Sequence, residues 1–283
     1  MASGQFGRMR GRRLRAGTLA LLAIIASCWG GSLAKTCDDE TAARFLQELG
    51  HQDAKVRERA AYELGKLRPD QAAWVERLIA AAEDVEPQVR RGAVWALGQV
   101  QVSQDQAVQK LLAVLASDVL PQNRSEAVQA LGSLGSAAKE AVPALESVVR
   151  GGRGIHGVDP FLPTRRMLPL KYNVHTRSEA IRALGQIGSE EAIGLLAPLL
   201  IQAEKELNGE GLPYYVLSAE ALARIGRADS RIMPALQRGR RLPATTEQLR
   251  AARLAADRAV RQIEAQEASR PAVSEGEQRL NRP

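Results

Sequence analysis

Along most of the chain, apolar residues recur at three- and four-residue spacing, the period of a helix buried on one face. Ala42, Phe45, Leu46 and Leu49 make the first such stripe and predict a helix over 41–49. Gly50 to Asp53 reads as a turn, with Asp53 placed to cap a second helix that runs to Leu67 and stops before Pro69. The pair then recurs: 74–82 with 87–100, 106–116 with 121–134, 140–149 with 174–187, 190–207 (bent at Pro198) with 214–225, and 231–238 with 246–266. No stretch alternates as a half-buried strand does, so the chain reads as all-α.

The second helices share a motif. Val56–Gly65 (VRERAAYELG) returns as Val89–Gly98 (VRRGAVWALG), as Asn123–Gly132 and as Thr176–Gly185, with a weaker copy ending at Gly226 and a degenerate one ending at Ile263. Counted between glycines, the offsets are 33, 34, 53 and 41 residues. A fixed period in this range marks a solenoid, in which each unit buries its apolar face against its neighbours.

Angular position assigns roles within the motif. At 100° per residue, positions nine, five and one before the glycine share one face, so Val56, Ala60 and Leu64 are core, as are Val89, Ala93 and Leu97. The arginine eight back (Arg57, Arg90, Arg124, Arg177) lies beside that stripe. It is expected at the seam between repeats, as a structural ladder pairing with a neighbouring carboxylate or helix-end carbonyl. Three back fall Tyr62, Trp95, Gln129, Arg182 and Ala223, facing away from the core. Tyr62 and Trp95 are thus expected to be exposed in one row, as anchors for a protein partner or as covers over the neighbouring turn or a terminal cap.

Composition changes this picture little, and charge somewhat more. Apolar residues make up 45% of the chain and aromatics only 4%, so alanine and leucine carry the core. The formal net charge is +7, but Arg8, Arg10, Arg12, Arg13 and Arg15 supply five of those charges before residue 16. Without them, bulk charge gives little reason to expect nucleic acid. The remainder is polarised. Residues 38–86 hold 12 acids against 7 bases, whereas residues 224–261 hold ten arginines against Asp229, Glu247 and Asp257. Solvated helix faces and a gradient that orients a partner are both consistent with this.

Residues 1–34 have the basic start and short apolar run of an export signal. The run of Ala16 to Ser27 is shorter than the roughly 20 residues that span a bilayer. Two cleavage readings stay open. Ile25-Ala26-Ser27-Cys28 resembles a bacterial lipobox, implying a lipid on Cys28 and a membrane-anchored envelope protein. Ser32-Leu33-Ala34 suits an ordinary signal peptidase, leaving a soluble periplasmic one. Either cut leaves Cys37 without an intrachain disulfide partner.

At Val89–Gly98 and its relatives at 56–65, 123–132 and 176–185, the chain resembles the HEAT-repeat family, in particular the short repeats of the phycobilisome-lyase type. The resemblance covers about residues 40–265. It implies a right-handed superhelix of helical hairpins whose second helices line a concave binding surface. For activity it is less specific: most such repeats are protein-binding scaffolds, and some belong to bilin lyases.

The chain departs from the family at about 151–173, which adds about 20 residues to one period. Arg153, Arg165, Arg166 and Lys171 face a single acid, Asp159, and Phe161 and Tyr172 are apolar bulk that a solvated linker does not need. Such a loop is read as a partner-contacting lobe or as a cover over its own solenoid. His156, Asp159 and His175 match no standard metal-site spacing, and residues 267–283 read as a polar, disordered tail. No nucleophile elbow, zinc-protease motif, phosphate loop or dinucleotide fingerprint occurs, so no cofactor and no small-molecule substrate are expected. The expected function is an exported, non-enzymatic scaffold that docks another protein. The alternatives are a bilin or cofactor lyase, disfavoured by export, and nucleic-acid binding through the arginine-rich end.

Overall fold

The computed structural model describes residues 40–150, 170–205, 207 and 211–269. Twelve α-helices follow in order among them: α1 (40–48), α2 (Ala54–Lys66), α3 (Ala72–Ala81), α4 (Pro87–Leu97), α5 (Gln104–Ser117), α6 (Pro121–Ser133), α7 (Val142–Val149), α8 (Leu170–Ile187), α9 (Ile193–Lys205), α10 (Gly211–Ile225), α11 (Ile232–Gly239) and α12 (Glu247–Ser269). Single 3-10 stretches, Gly135–Ala141 and Glu190–Ala192, lead into α7 and α9. The described residues contain no strand.

Consecutive helices form hairpins. The even-numbered helices stack directly on one another from α2 to α12, while the odd-numbered ones form a looser second layer. The array therefore bends toward its even-helix side. A single hydrophobic core runs through the stack, from Ala42 and Phe45 to Val260 and Ile263.

The motif glycines set the spacing of the inner layer. A Cβ on Gly98 would sit 2.7 Å from the Cα of Ala130, and one on Gly185 would sit 2.6 Å from the Cα of Ala221. On Gly65 it would meet Ala96 at 2.8 Å, and on Gly132 Ala183 at 3.0 Å. Only hydrogen fits at these crossings. Ala96, Ala130 and Ala183 each stand two residues before the next motif glycine.

That rule corrects the register of the fifth copy. Ala221 is the alanine that Gly185 meets, so the position equivalent to the motif glycine is Ala223, and the offset is 38 residues, not 41. Gly226 belongs to a different series. With Gly135 and Gly188 it has positive φ (66°, 58° and 70°) three residues after the motif position, the left-handed residue that closes a helix. The same register puts Arg261 at the equivalent position of α12. An arginine is admissible there because the described chain stacks no further helix on α12.

Several helices extend beyond their expected bounds, α8, α10 and α12 by three or four residues. α8 begins at Leu170, directly after Pro169, so Lys171 and Tyr172 belong to its first turn and not to the preceding loop. α12 continues to Ser269, past the expected end at Gln266. In α8 and α12, polar residues flanking the apolar stripe are still good helix formers, so periodicity alone understates the length.

Candidate functional site

The arginines at the seams come first, because they fix how one hairpin meets the next. Arg57 donates from Nε and Nη2 to the two carboxylate oxygens of Asp84 (2.7 and 2.9 Å), and from Nη1 to the carbonyls of His51 and Gln52. Arg90 repeats this one hairpin on. It contacts Asp118 at 2.8 and 3.2 Å and the carbonyls of Asp84 and Val85. Each guanidinium thus ties off its own turn while gripping the turn of the next hairpin. Arg124 donates to the carbonyls of Asp118 and Val119, and Arg177 lies 4.6 Å over the ring of Tyr214. In the fifth copy the position is Tyr215, whose hydroxyl donates to the carbonyl of Ala235.

The aspartates do a second task. Asp84 accepts from the backbone N–H of Glu86, and Asp118 from that of Leu120 and from the side-chain amide of Asn123. Both carboxyls titrate below their ordinary range. For Asp84 the main cause is the Arg57 hydrogen bond, partly opposed by burial. For Asp118 burial pushes upward more strongly than any single opposing interaction, yet Arg90 and the donors of Leu120 and Asn123 together outweigh it.

On the inner face, Tyr62 and Trp95 meet across the α2–α4 crossing with ring centroids 5.5 Å apart and planes inclined at 46°. Both are half-buried, which corrects the expectation that they stand exposed. The reason is the glycines opposite them. Tyr62 lies on Gly92, where a Cβ would come within 3.2 Å of the ring, and Trp95 lies on Gly65, where it would come within 2.6 Å. The rings sink into seats made by missing side chains and form a tilted, half-open aromatic platform.

Arg91 stands beside the platform. Its Nε donates to the Tyr62 hydroxyl (3.3 Å), and its Nη2 lies 3.8 Å from Glu58. Glu126 follows on α6. Burial holds its carboxyl above the ordinary range, with Arg91 pulling the other way and Glu179 adding to the rise. Between the starts of α4 and α6 lies a cavity of ≈ 230 Å³ lined by Pro87, Gln88, Arg91, Leu120, Gln122 and Asn123. Asn123 is committed to the Pro87 carbonyl and Asp118, whereas Gln88 and Gln122 are exposed at equivalent positions of adjacent repeats. Sequence reasoning singled out neither these glutamines nor Arg91, Glu58 and Glu126. Their recurrence ten, seven and six residues before the motif glycine is the signal that finds them.

The other residues selected from sequence do not join this cluster. Cys28, Arg153, Phe161, Arg165 and Arg166 lie outside the described residues, as do the leader and residues 270–283. Lys171 and Tyr172 are placed only as helical positions. Among the described residues no group of His, Cys, Asp and Glu is arranged to hold a metal ion, and no helix is long and apolar enough to cross a membrane.

The profile described as HEAT repeats matches residues 42–132, and the one described as PBS lyase HEAT-like repeat matches residues 124–151 and 176–202. Residues 42–151 and 176–202 are thus HEAT repeats. No curated protein matches the chain. Among solved structures, the HEAT-repeat solenoid is similar to an engineered protein at 21% identity and a TM-score of 0.50, over 79% of this chain and 98% of that one. It is also similar to the CpcE–CpcF complex of phycocyanin lyase from Nostoc sp. PCC7120 (21% identity, TM-score 0.44, 94% of this chain and 99% of that one). Human deoxyhypusine hydroxylase is more remote, with a TM-score of 0.35 at 21% identity over 83% of this chain and 99% of that one. At these identities the likeness to the engineered protein speaks for the fold alone.

Proposed function

We propose that this HEAT-repeat solenoid is a non-enzymatic scaffold that holds a protein partner on its inner, even-helix face. The observation that carries this reading is the Tyr62–Trp95 platform. Two large aromatics are held half-open by Gly65 and Gly92, with an arginine beside them and an amide-lined cavity one repeat away. Aromatic and arginine side chains on a rigid base are the groups that carry most protein-binding energy, and fixed rings lose little entropy on docking. Residues 1–34 fit an exported protein, anchored through a lipid on Cys28 in one reading and free after cleavage behind Ala34 in the other.

Alanine at both Tyr62 and Trp95 is expected to weaken partner binding at least tenfold, a loss of about 1.4 kcal/mol or more. It should lower unfolding stability by only about 1 kcal/mol beyond the lost ring burial. The check is recovery of a cross-linked partner from the native membrane fraction by wild-type and variant proteins, with thermal melts run in parallel. Equal recovery by a folded variant would remove the platform from the binding site. For the leader, Cys28→Ser is expected to abolish incorporation of labelled fatty acid and release the protein from membranes. Unchanged release would favour cleavage behind Ala34.

A second reading rests on the PBS lyase HEAT-like profile: bilin or cofactor attachment. Its test is pigment transfer by the purified protein to an apo-phycobiliprotein. Transfer would displace the scaffold reading.

A further inference from the structure

We propose that the open face of α12, the last of the described helices, is a second docking surface that takes an acidic, leucine-bearing segment of a protein partner. It lies several repeats from the Tyr62–Trp95 platform and does not depend on that site.

The chemistry follows from the seams inside the molecule. At the α2–α4 seam the motif glycine, the residue three before it and the residue seven before it face the successor. Gly65 lies against Ala96, Tyr62 against Trp95 and Glu58 near Arg91. At the first two seams the arginine eight before the glycine also grips an aspartate of the successor's turn: Arg57 grips Asp84 and Arg90 grips Asp118. In α12 these four positions are Arg261, Arg258, Leu254 and Arg253. The ladder arginine is thus retained in the last helix, where the described chain supplies no further aspartate.

The face is open and ready for such a contact. Leu254 is 54% exposed, and Arg250, Arg253, Arg258 and Arg261 are exposed around it. Arg253 and Arg258 have no carboxylate within ion-pair reach among the described residues. Arg250 is engaged only with the carbonyl of Ala244, and Arg261 pairs with Asp257, which also holds Arg240. A partner carboxylate placed against Arg253 would complete the rung that Asp84 and Asp118 complete within the array, and Leu254 offers an apolar contact in the middle.

Other occupants fit less well. A nucleic acid would find no aromatic ring on α12 to stack a base and would meet Asp257 among the arginines. A second copy continuing the stack would need a small residue where Arg261 stands, because four inner seams close on a glycine and the α10–α12 seam on Ala223. An anionic membrane would meet one leucine and no aromatic anchor on this helix.

The test uses the full chain and four fluorescent probes: an amphipathic Asp/Leu peptide, the same peptide with Lys for Asp, a single-stranded oligonucleotide, and phosphatidylglycerol vesicles. The Asp/Leu peptide is expected to bind at low salt and the Lys peptide not to. R253E/R258E is expected to weaken that binding about tenfold, as removal of steering and pairing charges does at an interface. L254S is expected to weaken it about threefold through lost apolar contact. R224E, a single charge reversal on exposed Arg224 of α10, should alter it less than about twofold, because that residue lies off the face. The proposal is overturned if no probe binds, if R224E weakens binding as much as R253E/R258E, or if Leu254 is indifferent while the oligonucleotide or the vesicles bind in preference. Assembly into head-to-tail oligomers that R253E/R258E dissolves would also overturn it, in favour of a second copy.

Discussion

Alanine at both Gly98 and Gly185 is expected to lower the unfolding free energy by about 4 kcal/mol, about 2 kcal/mol from each site, by forcing apart helices that have no room to part. The new Cβ atoms would lie 2.7 Å from the Cα of Ala130 and 2.6 Å from the Cα of Ala221. Backbone cannot swing aside as a side-chain tip can. The two sites sit in different seams, so their effects should add. Gly188→Ala is the control: nothing lies within 4 Å of its Cβ, and only its φ of +70° resists, at a cost of about 1 kcal/mol. Gly132 is intermediate, because the closest atom there is the movable Oε1 of Gln186. Denaturant melts of the three variants should therefore rank the double variant lowest, then Gly132→Ala, with Gly188→Ala nearest to wild type. A double variant as stable as Gly188→Ala would mean that the inner layer is not set by these contacts. Because repeat arrays can unfold by parts, broadening of the transition is as informative as a shift in its midpoint.

Asp118→Ala is expected to cost about 3 kcal/mol, since it strands a guanidinium in a partly dry seam. The Asp118 side chain is 4% exposed and that of Arg90 13%, and the same substitution removes the acceptor for the Leu120 N–H and the Asn123 amide. The pair also predicts an acid limb. The folded Asp84 and Asp118 carboxyls titrate below the ordinary aspartate value of about 3.9 that they recover on unfolding. A depressed folded pKa contributes stability that is complete above the unfolded value and is lost as pH falls through the folded one. Stability should therefore hold down to about pH 5 and decline below about pH 4, and D84N and D118N should each flatten that decline. Urea melts across this range measure it. An acid limb unchanged in both variants would show that other carboxylates are responsible.

Much of this was legible in the sequence, for identifiable reasons. Helix periodicity and the recurring Leu-Gly ending reflect local geometry and a repeated core, so they specify hairpins without knowledge of any contact. The angular place of Arg57 and Arg90 beside the core stripe follows from helix pitch alone. The fifth repeat misled because two glycine series run through the chain, one packing a helix crossing and one closing a helix. In a sequence both read as Gly after an apolar residue, and Gly226 belongs to the second. Tyr62 and Trp95 misled for a related reason. Their helix face is outward, but what lies opposite is a glycine on another helix, Gly92 or Gly65, tens of residues away.

The sequence by itself determined the fold class, the hairpin order, the core stripe and the arginine row, because each rests on spacing within one helix or on a repeated spacing between helices. Only the tertiary structure decided which aspartate each arginine meets, how far the aromatic rings sink, that Arg91 joins them and that α12 ends the described stack with an unfilled rung. Those are relations between helices, and the distance between two helices is set by the smallest side chain at their crossing.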